Sequence, residues 1–394
     1  MRSKVCTAQE AVGEIQDEDW ITIGGTLGWS LPTAVLDALE TRFLTESEPR
    51  DLTWFDPFPT GLPGIEPLAH SGLLKRVIGG WYTPHPAIRA LILANKVEAY
   101  CYPLGSLAFW CQQIGAGRDG LLTPVGLNTY VDPRQRGGRL NAAARDELVA
   151  VAQVDGREYI WYRHIPINVA ILRGTTVDTA GNLSFEEEHV TMSALHQALA
   201  AKRNGGTVIV QAKQLVDEGA IPPRQVTIPA PLVDRIVLHP DQHANELSPD
   251  LAWLDPGERV PRPPRQVLTS MDHEVWRQWV QEGQRDVPET ERELTADRLV
   301  GRRAVLEMRP GSVVNVGQGL PARDVIPAAI DEGVDQAVEL SIETGNLGGI
   351  VNGLGFRSGM TAVLDTPSIF SMYATDVMDA TFLSMLEFDA DGSV

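Results

Sequence analysis

The stretch INVAILRGTTVDTAGNLSFEEEHVTMSALHQALAAKRNGGTVIVQ, Ile167 to Gln211, decides the fold. Ile167–Leu172 (INVAIL), entered just after Pro166, has the length and apolar continuity of a buried strand. Ser193–Ala201 has a helical pattern, and Gly205 and Gly206 close it. Thr207–Gln211 (TVIVQ) is a second buried, β-branched strand. Strand, helix, strand in this rhythm predicts an α/β sheet.

Upstream, Trp20–Ile23 is a short β-rich run that ends in Gly24 and Gly25. Pro32 and a helical pattern over Ala34–Leu44 follow it. Downstream, the composition shifts between about Asp255 and Thr295. PGERVPRPPRQ is rich in Pro and Arg, and HEVWRQWVQEG, with Trp276 and Trp279 three residues apart, has the pattern of an amphipathic helix. Three parts are therefore expected: a first domain over 1–255, a linker with an inserted helix over 256–295, and a second domain over 296–394.

The second part echoes the first. The loop GGTLGWSLP (Gly24–Pro32) follows a strand and precedes a helix, and VGQGLP (Val316–Pro321) does the same after SVVN. Asp178-Thr-Ala-Gly-Asn-Leu-Ser resembles the last residues, Asp389-Ala-Asp-Gly-Ser-Val394. Two matched punctuation points in the same order predict two related open α/β domains. The first continues well beyond this point and the second stops at it, so the second domain is expected to be incomplete at its C-terminus.

The 394 residues carry a formal charge of −19, which argues against nucleic acid as a partner, because phosphate binding needs clustered Lys and Arg. The 43% hydrophobic and 22% charged residues suit a soluble globular protein. Three cysteines, Cys6, Cys101 and Cys111, form neither a disulfide framework nor a zinc pattern. No stretch has the roughly 18 charge-free apolar residues of a membrane span, and the start lacks a signal-peptide core. A cytoplasmic protein with no membrane partner is expected.

The chemistry centres on ELSIETGNLGGIVNGLGF, Glu339–Phe356. A β-branched strand runs into Glu343, then Thr344, Gly345 and the pair Gly348–Gly349. This places one carboxylate at a strand end beside a loop that lets a ligand or backbone approach closely. A carboxylate nucleophile needs that setting, and a glutamate at a surface turn shares it. The Gly-x-Gly at Gly317 and Gly319 opens a helix, where N–H groups can cradle an anion, and it lacks the dinucleotide fingerprint. Asn352 either orients a substrate carboxylate or caps a turn. Glu186, Glu187, Glu188 and His189 read as a charge-rich helix start with no metal. Asp132 and Arg134 read as an ion pair bracing a loop. No metal site is expected.

These residues carry a resemblance. GLNTYVDPRQRGGRLN (Gly126–Asn141) resembles the GLGTFVDPR…GGKLN segment of acetate and propionate CoA-transferases. Arg173–Thr191 is similar to that family's RGTTAD-x-x-GNLS-x-E-x-E, NVGQGLP (Asn315–Pro321) to its NLGIGIP loop, and IETGNLGG (Ile342–Gly349) to the segment holding its catalytic glutamate. In order from about Thr22 to the last residue, the chain is identified as a member of the family I coenzyme A transferases.

The resemblance implies CoA transfer between an acyl-CoA and a carboxylic acid by a ping-pong mechanism, with Glu343 as nucleophile and acyl-glutamyl anhydride and glutamyl-CoA thioester as intermediates. It implies CoA contacts from Gly317, Gln318, Gly319, Leu320 and Pro321, and an oxyanion or substrate loop at Thr26, Leu27 and Gly28. Family loops at this last position commonly read SGFVG or GGFG. CoA would be substrate and covalent intermediate, with no permanently bound cofactor. The partners implied are an acyl-CoA, a small carboxylic acid, further copies in a homo-oligomer, and a second polypeptide supplying the missing C-terminal segment. Where many relatives carry FDFYDGGGLD, this chain has FSMYATDVMD (Phe370–Asp379), with Thr375, Asp376 and Val377 in place of glycines. Two other readings stand beside this one: an acyl-CoA hydrolase on the same scaffold, and a non-catalytic subunit that needs a second chain.

Overall fold

The computed structural model describes residues 3–58, 60–61, 64–255, 295–317, 319, 321–335, 337–348, 351–352, 355–356 and 360–385. The chain divides into two compact units, residues 1–256 with 365–367, and residues 257–364 with 368–394. The inserted helix expected over 256–295, with Trp276 and Trp279, lies outside the described residues, as do Asp389–Val394.

The first unit is built on a parallel sheet. Its strands are β1 (Val5–Cys6), β2 (Trp20–Ile23), β3 (Leu52–Phe55), β4 (Leu74–Gly79), β5 (Glu98–Cys101), β9 (Val169–Asp178), β11 (Thr207–Val216) and β13 (Arg235–Leu238), in the order β1-β13-β11-β9-β2-β3-β4-β5. Every neighbouring pair on this path is parallel. Strands buried on both faces need no polar alternation, which is why INVAIL and TVIVQ are mostly apolar with no alternating pattern. All ten residues of β9 are buried.

Helices cover both faces. On one, Val35, Leu36 and Leu39 of α2 (Thr33–Glu46) and Ile88 and Ile92 of α3 (Pro86–Leu93) pack with Ile21, Trp54, Val77 and Ile171. On the other, Leu107, Trp110 and Ile114 of α4 (Leu104–Gly115) pack around Tyr100, Tyr102 and Tyr162. Ala194, Ala198 and Ala201 of α5 (Ala194–Arg203) pack on Leu172 and Val210. A separate antiparallel sheet joins β6 (Gly120–Thr123), β7 (Val149–Val154) and β8 (Arg157–Arg163) in the order β6-β8-β7. The resemblance segment Gly126–Asn141 lies between β6 and β7. Asp132, 1% exposed, holds Arg134 at 2.7 Å and accepts from the N–H of Asn128 and Arg134, so this ion pair does brace its loop.

The second unit carries a smaller sheet, β19-β16-β15-β14-β20, made of β14 (Val313–Val316), β15 (Glu339–Ser341), β16 (Asn346–Leu347), β19 (Ala362–Val363) and β20 (Ala380–Phe382). β14 lies between β15 and β20 and is parallel to both, whereas β15–β16 and β16–β19 are antiparallel. A π-helical turn over Pro321–Val325 and a helix over Ile326–Asp331 follow β14, and a helix over Thr366–Tyr373 precedes β20. The protein is thus α/β, as the sequence predicts, with a parallel main sheet in the first unit and a mixed sheet in the second.

Candidate active site

Ligands of open α/β sheets gather outside the carboxyl ends of the strands where strand order reverses. In the first unit that reversal lies between β2 and β9, and Gly24–Pro32 leaves the carboxyl end of β2 there. The loop is folded tightly on itself. Thr26 N donates to Trp29 O at 2.9 Å, Trp29 N to Thr26 O at 2.7 Å, and Leu27 N to Thr60 O at 2.6 Å. Leu27 and Ser30 take the left-handed backbone at φ 45° and 52°, a conformation that costs a non-glycine residue free energy and is kept where surrounding contacts enforce it.

The enforcing contacts come from residues 243–248. Asn245, fully buried, donates from Nδ2 to Leu27 O at 3.1 Å, and Glu246 N donates to Gly28 O at 2.8 Å. Gly28 has φ 88°, and a Cβ there would meet Asn245 Oδ1 at 2.4 Å, so no other residue fits. Of the three N–H groups expected to face an oxyanion, those of Thr26 and Leu27 are bonded within this structure. Gly28 N–H has no backbone acceptor among the described residues.

Beneath the loop lies a buried ion pair. Arg173, 1% exposed, meets Glu188 at 2.9 Å and Glu246 at 2.7 Å, and also donates to Leu31 O and His243 O. Glu188 Oε2 accepts from Ser30 Oγ at 2.8 Å. This corrects the expectation for Glu186–His189. The segment is a turn ahead of α5 and not a helix start, and Glu188 is 2% exposed. Burial pushes its carboxyl above the usual range, against the opposing pull of Arg173. One signal for this pair was in the sequence: a charge in the buried run INVAILR must be paired. The EEE run gave no clue to which glutamate would pair with it.

In the second unit the register of β14 and β15 pairs Asn315 with Ser341. Gly317 and Glu343 each stand two residues beyond that pair in sequence, on the segments that leave the carboxyl ends of these neighbouring strands. Glu343 is partly buried in the turn between β15 and β16. Its neighbours Ser341, Ile342 and Thr344 are buried. Ile342 N donates to Asn346 O at 3.0 Å, Gly345 N to Ile342 O at 2.9 Å, and Thr344 Oγ1 to Asn346 Oδ1 at 2.7 Å. A rigid turn therefore presents one carboxylate at the end of a parallel strand.

Gly317 and Pro321 are buried and Gly319 is exposed, while Gln318 and Leu320 lie outside the described residues. Asn352 lies in β17 (Val351–Asn352), which pairs with β18 (Gly355–Phe356) across two residues. Among the described residues no three His, Cys, Asp or Glu side chains gather as a metal site would require, and no helix is long and apolar enough to cross a membrane.

A family model described as Coenzyme A transferase matches residues 5–239. The chain is 35% identical over 402 residues to the acetate CoA-transferase YdiF of Escherichia coli (strain K12), covering 100% of this chain and 71% of that protein. This chain belongs to the family I coenzyme A transferases. It is 30% identical over 404 residues to the caffeate CoA-transferase of Acetobacterium woodii, covering 100% of this chain and 72% of that protein. The crystal structure of YdiF apoenzyme from Escherichia coli O157:H7 superposes with a TM-score of 0.85 at 32% identity, covering 99% of this chain and 70% of that one. Such likeness across the whole chain makes this protein a CoA-transferase enzyme. These two relatives are named for acids of different size, acetate and caffeate.

Proposed function

We propose that this CoA-transferase works by a ping-pong exchange through Glu343. What carries the reading is the position of Glu343, a carboxylate in a hydrogen-bonded turn at the carboxyl end of β15, the strand paired with the one that the glycine loop leaves. A Glu343 oxygen attacks the thioester carbonyl, the C–S bond breaks, and CoA leaves as thiolate with the electron pair. The thiolate then attacks the glutamyl carbonyl of the anhydride. The glutamyl C–O bond breaks, and the first acid leaves as carboxylate from a glutamyl-CoA thioester. A second carboxylate repeats these steps in reverse and departs as the new acyl-CoA.

No general base is needed, because a carboxylate with an ordinary pKa of about 4.3 is ionised at neutral pH. One thioester is exchanged for another, so the overall reaction is nearly balanced. The protein's task is to lower the barriers through remote CoA contacts and donors facing the developing oxyanion. We assign the first role to the loop Gly317–Pro321 and the second to the loop at Thr26, Leu27 and Gly28. In the second role Gly28 N–H is the available donor and the other two residues shape the turn. We take the acceptor to be a small carboxylic acid, as the name of the acetate CoA-transferase at 35% identity suggests.

Peptide mass spectrometry after incubation with acetyl-CoA tests the reading. A CoA-sized adduct on the Glu343 peptide, absent in Glu343→Ala, is the expected result. An unmodified peptide from protein that turns over acyl-CoA overturns it. Release of free CoA without an acceptor acid would indicate hydrolysis instead.

A further inference from the structure

We propose that Tyr373 is the positioning residue for Glu343, its hydroxyl tying together the strand ends from which the glycine loop and the carboxylate emerge. The inference rests on the reading of Glu343 as nucleophile. Tyr373 ends the helix Thr366–Tyr373, and its hydroxyl donates to Asn315 Oδ1 at 3.0 Å and lies 3.2 Å from Ser341 Oγ. Asn315 and Ser341 are the paired residues of β14 and β15, and both side chains are buried. The phenol therefore bridges two parallel strands at their last shared register position, two residues before Gly317 on one and two before Glu343 on the other.

A phenol has one hydrogen. With that hydrogen on Asn315, the Ser341 hydroxyl faces both the phenol oxygen at 3.2 Å and Val314 O at 3.4 Å, the phenol oxygen being the nearer acceptor. Burial raises the Tyr373 pKa, Ser341 opposes the rise, and the charge of Glu343 adds to it. The tyrosine stays neutral, and its response to Glu343 places the carboxylate within its electrostatic reach. The ring is held separately, edge-on to Phe370 at 5.8 Å, so the hydroxyl can be removed without emptying the site.

Such a bridge matters because nucleophilic attack depends on placement. A shift of about 1 Å in a reacting group can cost a hundredfold in rate. Ser341 is the last residue of β15 before the turn that carries Glu343.

The experiment compares first-turnover labelling of the Glu343 peptide by acetyl-CoA in the full protein, in Tyr373→Phe and in Ser341→Ala. Tyr373→Phe should slow adduct formation at least tenfold and leave the KM for acetyl-CoA within twofold. Ser341→Ala should act in the same direction. The double variant should be no slower than the slower single variant, since both remove one bridge. A loss shared between KM and thermal midpoint, with the labelling rate at saturation unchanged, would mark a merely structural tyrosine and overturn the inference. Labelling in Tyr373→Phe as fast as in the unsubstituted protein overturns it too. If the unsubstituted protein turns over acetyl-CoA without labelling Glu343, the nucleophile reading falls and the inference falls with it. If Tyr373→Phe does not fold, Ser341→Ala alone decides by the same criteria.

Discussion

At the scale of single residues, this protein keeps several ionisable side chains away from water, and two of them lose their stabilising effect on acidification for opposite reasons. His85 is fully buried, 3.8 Å from Glu66 and 5.6 Å from the Trp54 ring centre, with neither ring nitrogen hydrogen-bonded. Burial lowers its pKa to about 4. In the unfolded chain it would titrate near its ordinary value of about 6.5. Between these values the unfolded state binds the proton first, so stability is complete above about pH 6.5 and falls as pH drops towards 4. The slope in that window is about 1.4 kcal/mol per pH unit. Replacing His85 by Phe should remove this contribution, so thermal midpoints of protein and variant should diverge between pH 7 and pH 4.5, with the variant flatter. Parallel curves would mean that His85 titrates alike in the folded and unfolded states. Asp132 shifts in the same direction for the opposite reason: hydrogen bonds from Arg134 favour its charged form and hold its carboxyl well below the usual range, against burial. Its contribution is present at neutral pH and persists until strongly acid conditions.

At the scale of elements, the parts that were legible in the sequence are those whose physics is local. INVAIL and TVIVQ lack polar alternation because β9 and β11 are covered on both faces; the structure starts the first strand at Val169, two residues later than expected, and carries the two on to Asp178 and Val216. The glutamate turn was legible for a similar reason, since its glycines are backbone requirements. Gly345 has φ 103°, and a Cβ there would lie 2.0 Å from Leu364 O, an atom of rigid backbone that hydrogen-bonds back through Leu364 N. Gly345→Ala should therefore cost about 1–3 kcal/mol of stability, and displacing the turn should slow labelling of Glu343 more than tenfold. Denaturant midpoints and adduct rates measured on the same preparation check both; unchanged rates would show that the turn tolerates the shift. What was not legible depends on partners distant in sequence. Glu188 pairs with Arg173 from fifteen residues away, and Ser30 joins them from 158 residues away. Tyr373 gave no signal because its partners, Asn315 and Ser341, meet it only through the register of β14 and β15.

At the scale of the whole molecule, a net charge of −19 meets a substrate whose phosphates are also negative. Long-range repulsion then opposes encounter, and only local donors such as loop N–H groups favour binding. Salt separates the two contributions, because the screening length shrinks from about 30 Å at 0.01 M to about 10 Å at 0.1 M ionic strength. Repulsion summed over the surface is screened in this range, whereas hydrogen bonds at contact distance change little. The kcat/KM for acetyl-CoA should therefore rise about threefold or more over that range, with kcat nearly constant. Proteins that attract phosphates through basic surfaces lose affinity under the same change. A fall in kcat/KM with salt would mean that cations near the CoA path outweigh the acidic surface. A rise would mean that the acidity persists despite its kinetic cost, with recognition left to the short-range groups of the glycine loops.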